Sequence, residues 1–90
     1  MKVTIQFEAQ LRHLAGSPDR QIVVDDGTSV QDVVRESVSD TPALAEAVLD
    51  AEGRPARSVL VFVNDVPVAD FAAVLNEGDV VLLLPPISGG

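Results

Sequence analysis

Val80-Val81-Leu82-Leu83-Leu84-Pro85-Pro86-Ile87-Ser88-Gly89-Gly90 closes the sequence, and the rest of the chain reads as the platform that presents it. Val80 to Leu84 is a strand that is apolar at every position. Two prolines follow, each holding φ near −65°, so the stretch that leaves the strand should be stiff and extended. Pro86 also turns Pro85 away from helical geometry. Gly89 and Gly90 have no Cβ and pass where a side chain would jam. A stiff stalk with a slim tip and a terminal carboxylate suits insertion into the active site of another protein. A bare Gly-Gly is a weak signal, but after a proline-stiffened stalk and a β-rich body it is a stronger one.

Working outward, Ser58 to Val63 is a second strand without alternation, through Val59-Leu60-Val61-Phe62-Val63. Asn64-Asp65 reads as a turn and Val66 to Val68 as a short return strand. At the other end Val3, Ile5 and Phe7 alternate with Lys2, Thr4, Gln6 and Glu8, the period of a half-buried strand. Ala9 to Gly16 fits a short helical turn ended by Gly16, or an irregular loop. Gln21 to Val24 reads as a short strand antiparallel to the first. Ser29 is a helix N-cap, with Asp32 standing in for the usual capping-box Glu. Val30, Val33, Val34 and Val38 recur at helical spacing, and because valine is a poor helix former this helix should depend on packing against a sheet. Thr41-Pro42 opens a second helical segment whose stripe is Leu44, Ala45, Val48 and Leu49. Asp50 to Pro55 reads as a mobile loop.

This order predicts an α+β fold, a mixed four- to five-stranded sheet with one main helix across one face. It forms a single domain over 1–90, with 85–90 as an extended tail. Both faces of the third and last strands are apolar. Either the second helical segment covers part of the far side, or the sheet keeps an exposed apolar patch that marks a protein partner. The second reading is preferred, with Phe62, Leu83 and Leu84 as partner-facing residues beside the base of the tail.

The composition narrows the function. Fourteen acidic residues against six basic ones leave a net charge of −8 over 90 residues, which argues against nucleic acid. The same charge suits either a partner with a basic docking surface or simple solubility. With no cysteine there is no disulfide, thiolate nucleophile or iron–sulfur site. The N-terminal alternation is unlike a signal peptide, and no apolar run reaches membrane-spanning length, so a cytoplasmic location without a membrane partner is expected. His13, the only histidine, has no orienting partner legible in the sequence and reads as a surface or loop residue. Asp25-Asp26-Gly27 lacks the spacing of a calcium loop and reads as a turn. No glycine-rich phosphate loop exists, so no ATP site or other bound cofactor is expected on this chain. What remains is the terminal carboxylate of Gly90. A carboxylate is a poor electrophile until activated, for example as an acyl-adenylate, and a partner would have to do that work.

Ala9-Gln10-Leu11-Arg12-His13-Leu14-Ala15-Gly16, Val63-Asn64, Glu77-Gly78-Asp79-Val80 and Pro85-Pro86-Ile87-Ser88-Gly89-Gly90 resemble the MoaD/ThiS family of sulfur carriers. The double proline resembles the MoaD branch more than ThiS. The resemblance implies a ubiquitin-like β-grasp fold. It implies that Gly90 is adenylated by an ATP-using, MoeB/ThiF-like activating enzyme and converted to a thiocarboxylate. Gly89, Ser88, Ile87, Pro86 and Pro85 would thread the tail into the large subunit of molybdopterin synthase, where sulfur is delivered for the molybdenum cofactor. The chain would be the sulfur-donating subunit of that enzyme and not catalytic alone.

The sequence departs from the pattern in two places. It is longer than a minimal MoaD around Leu49 to Ser58, and Glu8 stands where an apolar residue is frequent. The longer middle segment and Val61-Phe62-Val63-Asn64-Asp65 are also similar to CysO-type carriers, which donate sulfur for cysteine synthesis. Two other classes stay open: a ubiquitin-like modifier that joins Gly90 to lysines of other proteins, and an interaction domain whose tail is incidental.

Overall fold

A computed structural model describes residues 1–85. The chain runs through β1 (Lys2–Phe7), α1 (Gln10–Ala15), β2 (Asp19–Val23), α2 (Val30–Val38), α3 (Pro42–Val48), β3 (Leu60–Val63), β4 (Val66–Pro67) and β5 (Val80–Leu84). The strands form one five-stranded sheet in the order β2-β1-β5-β3-β4. β1 and β5 are parallel, with Ile5 opposite Val81 and Phe7 opposite Leu83. The other pairings are antiparallel. The mixed sheet expected from the sequence is therefore present, and the last strand lies at its centre.

A single core explains the arrangement. Val3, Ile5 and Phe7 of β1 and Val81 and Leu83 of β5 are buried together with Leu11 of α1, Leu44 and Val48 of α3 and the valines of α2. Val30, Val33, Val34 and Val38 are all buried. Their poor helix propensity costs at most about 0.7 kcal/mol each, whereas burial of each side chain contributes about 1.5–3 kcal/mol. Packing therefore decides in favour of the helix. Ser29 caps it, its Oγ accepting from the Asp32 N–H at 3.2 Å. Asp32 does not complete a capping box; its carboxylate accepts from Arg35 Nη1 at 3.4 Å. Thr41 makes no capping bond with its side chain, and its hydroxyl donates to Asp40 Oδ1 at 3.0 Å instead.

α1 settles the alternative left open for 9–16 in favour of a helix. Gly16 ends it in left-handed geometry at φ 79°, its N–H bonded to the Arg12 carbonyl. Because Leu44 and Val48 join the same core as α2, α3 lies on the same side of the sheet, and among the described residues no helix covers the far face. The 50–55 segment is a loop, as expected, and it is closed by hydrogen bonds. Asp50 Oδ1 accepts from the N–H groups of Glu52 and Arg54 at 2.9 and 3.0 Å. Pro55 is buried and bridges to Leu49, and Arg35 Nε donates to the Gly53 carbonyl at 3.0 Å. The segment is a closed turn stapled to α2.

Candidate functional site

The register places an apolar strip on the uncovered face. Leu82 lies opposite Phe62 and Leu84 opposite Leu60, while Phe62 also faces Pro67 of β4. Successive strand residues point to opposite faces, so Leu60, Phe62, Leu82, Leu84 and Pro67 share the side away from the helices. Phe62, Leu82 and Leu84 are half-buried by one another, and Leu60 is 48% exposed. On β1 the strip gives way to Thr4 and Gln6, opposite Val80 and Leu82.

Leu83 does not belong to this strip. It is 0% exposed and packs under the helices, so its assignment to a partner-facing surface is corrected. In an all-apolar strand, composition does not say which alternate set faces in; the pairing of Phe7 with Leu83 and of Leu83 with Val61 does. Phe62 and Leu84 remain on the open face.

The strip runs along β5 to the point where the tail begins. There the Glu8 N–H donates to the Leu83 carbonyl at 3.1 Å. Pro85, which has no N–H to extend the ladder, is itself buried. Pro86, Ile87, Ser88, Gly89 and Gly90, the remaining tail residues singled out from the sequence, lie outside the described residues. Glu8 forms an ion pair with Arg12 at 3.2 Å, and Arg12 Nε reaches the Phe7 carbonyl at 3.4 Å, so one half-exposed charge pair borders this end of β5.

The internal segments that carry the resemblance build the scaffold. Asn64 and Asp65 turn the β3–β4 hairpin with φ of 50° and 70°. Asn64 Nδ2 donates to Asp79 Oδ1 at 2.9 Å, and the Val80 N–H donates to Asn64 Oδ1 at 3.0 Å. Asp79 Oδ2 accepts from the Asn76 N–H at 2.8 Å. Gly78, at φ 84°, donates its N–H to the Lys2 carbonyl. These bonds set where β5 starts between β1 and β3. His13 is exposed on α1, and Asp25 to Thr28 closes a turn with the Thr28 hydroxyl bonded to the Asp25 carbonyl at 2.6 Å.

One organising residue was not legible in the sequence. Arg20 on β2 donates to the Ser37 carbonyl at 2.7 Å, to Asp40 Oδ1 at 3.1 Å and to the Ala15 carbonyl at 3.2 Å. Its guanidinium also sits 5.4 Å from the Phe7 ring centroid. It thereby ties β2 to the ends of α1 and α2. A lone arginine in an amphipathic strand carries no sequence signal for that role.

The five-stranded mixed sheet, its helices on one side and the apolar strip that ends at the tail define a ubiquitin-like β-grasp protein of the sulfur carrier and modifier class. The model of the ThiS family matches residues 5–90, and the chain belongs to that family. It is 33% identical over 92 aligned residues to small archaeal modifier protein 3 of Haloferax volcanii, covering all of both chains. Among solved structures it is similar to SAMP1 from Haloferax volcanii, with a TM-score of 0.90, 29% identity and full coverage of both chains. It is also similar to a putative molybdopterin converting factor, subunit 1, from Pyrococcus furiosus, with a TM-score of 0.79 and 29% identity over 97% of this chain and 99% of that one.

Proposed function

We propose that the chain is a sulfur carrier whose working group is the carboxylate of Gly90. A MoeB/ThiF-like activating enzyme joins that carboxylate to AMP from ATP, releasing pyrophosphate. Hydrosulfide from a sulfur donor then attacks the acyl carbon, forming the C–S bond as the C–O bond to AMP breaks, and leaves a thiocarboxylate. The tail threads into a sulfur-accepting enzyme, which in the preferred reading is the large subunit of a molybdopterin synthase, with this chain as its small subunit in the cytoplasm. The observation that carries the reading is the apolar strip of Leu60, Phe62, Leu82 and Leu84, which runs along the strand from which the tail departs. An enzyme that grips this strip has the tail delivered toward its active site without contact to the rest of the domain. The likeness to a molybdopterin converting factor subunit supports the choice of acceptor.

A second reading, protein modifier, is favoured by the 33% identity over the whole length to a small archaeal modifier protein. It shares the adenylate and differs in the nucleophile, a lysine amine in place of sulfur. Intact-mass spectrometry after incubation with a MoeB/ThiF-like enzyme, ATP and a sulfur donor separates the two. A gain of about 16 Da confined to the C-terminus, sulfur replacing oxygen, supports the carrier. Isopeptide adducts of Gly90 on lysate proteins, without that gain, support the modifier. No ATP-dependent product of either kind overturns both.

A further inference from the structure

β2 is an end strand, and its outer edge has no neighbour among the described residues. The ladder to β1 shows which groups that edge presents. The Met1 ammonium donates to the Val24 carbonyl, the Val24 N–H donates to the Met1 carbonyl, and the Phe7 N–H donates to the Pro18 carbonyl at 2.9 Å. Bonded pairs recur at every second residue of an antiparallel ladder, so 18, 20, 22 and 24 face β1. Asp19, Gln21 and Val23 therefore turn their N–H and C=O groups outward. The Asp19 carbonyl is taken by the Ser17 hydroxyl at 2.9 Å, which leaves Gln21 and Val23 as the open template. Val23 is 78% exposed.

Two depressions lie end to end between this edge and α2. One is bounded by Val23, Val24 and Glu36, the other by Gln21, Ile22 and Glu36. Glu36 thus stands at their junction. Asp25 and Asp32 line the first depression and Asp40 the second. Arg20, the one basic side chain lining either depression, is committed to Ser37, Asp40 and Ala15; nearby, Arg35 is held by Asp32 and Gly53, and the Met1 ammonium by the Val24 carbonyl and Asp26. Glu36 has no ion-pair partner among the described residues.

We propose that the β2 edge is a second docking site, which takes an extended peptide as an added strand with lysine or arginine at alternate positions. Main-chain bonds to Gln21 and Val23 hold the peptide. Its basic side chains face α2 and meet Glu36, Asp32 and Asp25, while an apolar residue on the other face covers Val23. A second copy of this chain is disfavoured as the occupant because each copy carries a net charge of −8. β1 separates this edge from β5, so a partner held here leaves the apolar strip free. The site is independent of what is transferred at Gly90.

The test is an NMR titration of the whole protein with a peptide of about seven residues alternating lysine and valine, with an alternating glutamate–valine peptide as control. The expected result is saturable shifts at the Gln21, Val23 and Glu36 amides with the basic peptide only, weakened by added salt. Glu36→Lys should weaken binding about tenfold without lowering Tm, and Glu36→Gln should weaken it by less. Val23→Pro removes an outward N–H that the β1 ladder does not use and should also weaken binding. Absence of saturable shifts, shifts confined to the Leu60–Leu84 strip, equal binding of the acidic peptide, or unchanged affinity in a folded Glu36 variant would each overturn the proposal.

Discussion

Asn64 and Asp79 meet across 15 residues of sequence, Nδ2 to Oδ1 at 2.9 Å, and lock the β3–β4 turn to the start of the central strand. Asn64 serves two purposes there: it bonds on both sides of its amide, and it tolerates φ of 50°, a region that costs most residues about 1–2 kcal/mol. Asn64→Ala should therefore lower stability by about 1–3 kcal/mol, and Asn64→Gly should recover about 1 kcal/mol of that. Urea unfolding of the two variants checks the ordering; equal losses would mean that the backbone geometry contributes nothing.

Adjacent leucines on β5 should respond in opposite ways. Leu83→Ala removes a fully buried side chain and should cost about 2–5 kcal/mol in thermal unfolding. Leu84→Asp, on the half-buried open face, should leave a folded protein that binds its activating or accepting enzyme at least about tenfold more weakly. Calorimetry paired with a binding titration reads both. Unaltered partner affinity in folded Leu84→Asp would remove the strip from the docking surface.

Arg20→Lys keeps the charge but loses the planar fork that reaches Ser37, Asp40 and Ala15 at once. The expected loss is about 1.5–3 kcal/mol, because the Ser37 and Ala15 carbonyls lose a charged donor. Chemical denaturation measures it, and hydrogen exchange should quicken first at the C-terminal turn of α2.

The Asp50 carboxyl is held below its usual range, chiefly by the N–H of Arg54 and also by that of Glu52. A depressed folded pKa contributes stability above the unfolded value and loses it as pH falls through the folded one. The 50–55 turn should accordingly be intact at neutral pH and loosen only below the ordinary aspartate range. Carboxyl-carbon NMR of Asp50 should show the low midpoint, and the Glu52 and Arg54 amides should shift with it. A midpoint at the ordinary value would contradict the bonding.

Much of the fold was readable from short-range pattern. Val3, Ile5 and Phe7 announced their buried face by alternation, and Ser29 announced the start of α2 by capping chemistry. Local signs did not fix every bond. Thr41 takes the N-cap position before Pro42, as its type and place suggest, but its hydroxyl donates to Asp40 instead of capping the helix. Asp50 to Pro55 has loop composition, but composition does not reveal that one carboxylate will gather two amides and a distant Arg35 will hold Gly53. The tail residues Pro86 to Gly90 were singled out by their order alone, and their role rests on that order and on the family.

Most of the elements, and the Pro-Pro-Ile-Ser-Gly-Gly stretch after the last strand, were legible in the order of residues alone, because alternation, caps and glycine or proline geometry act within a few residues of chain. That Leu84 faces outward while Leu83 is buried, that β2 has an open edge among the described residues, and that Arg20 joins three elements emerged from the folded arrangement. Those outcomes depend on strand order and register, which are set by contacts between segments far apart in sequence and leave no local trace in any one of them.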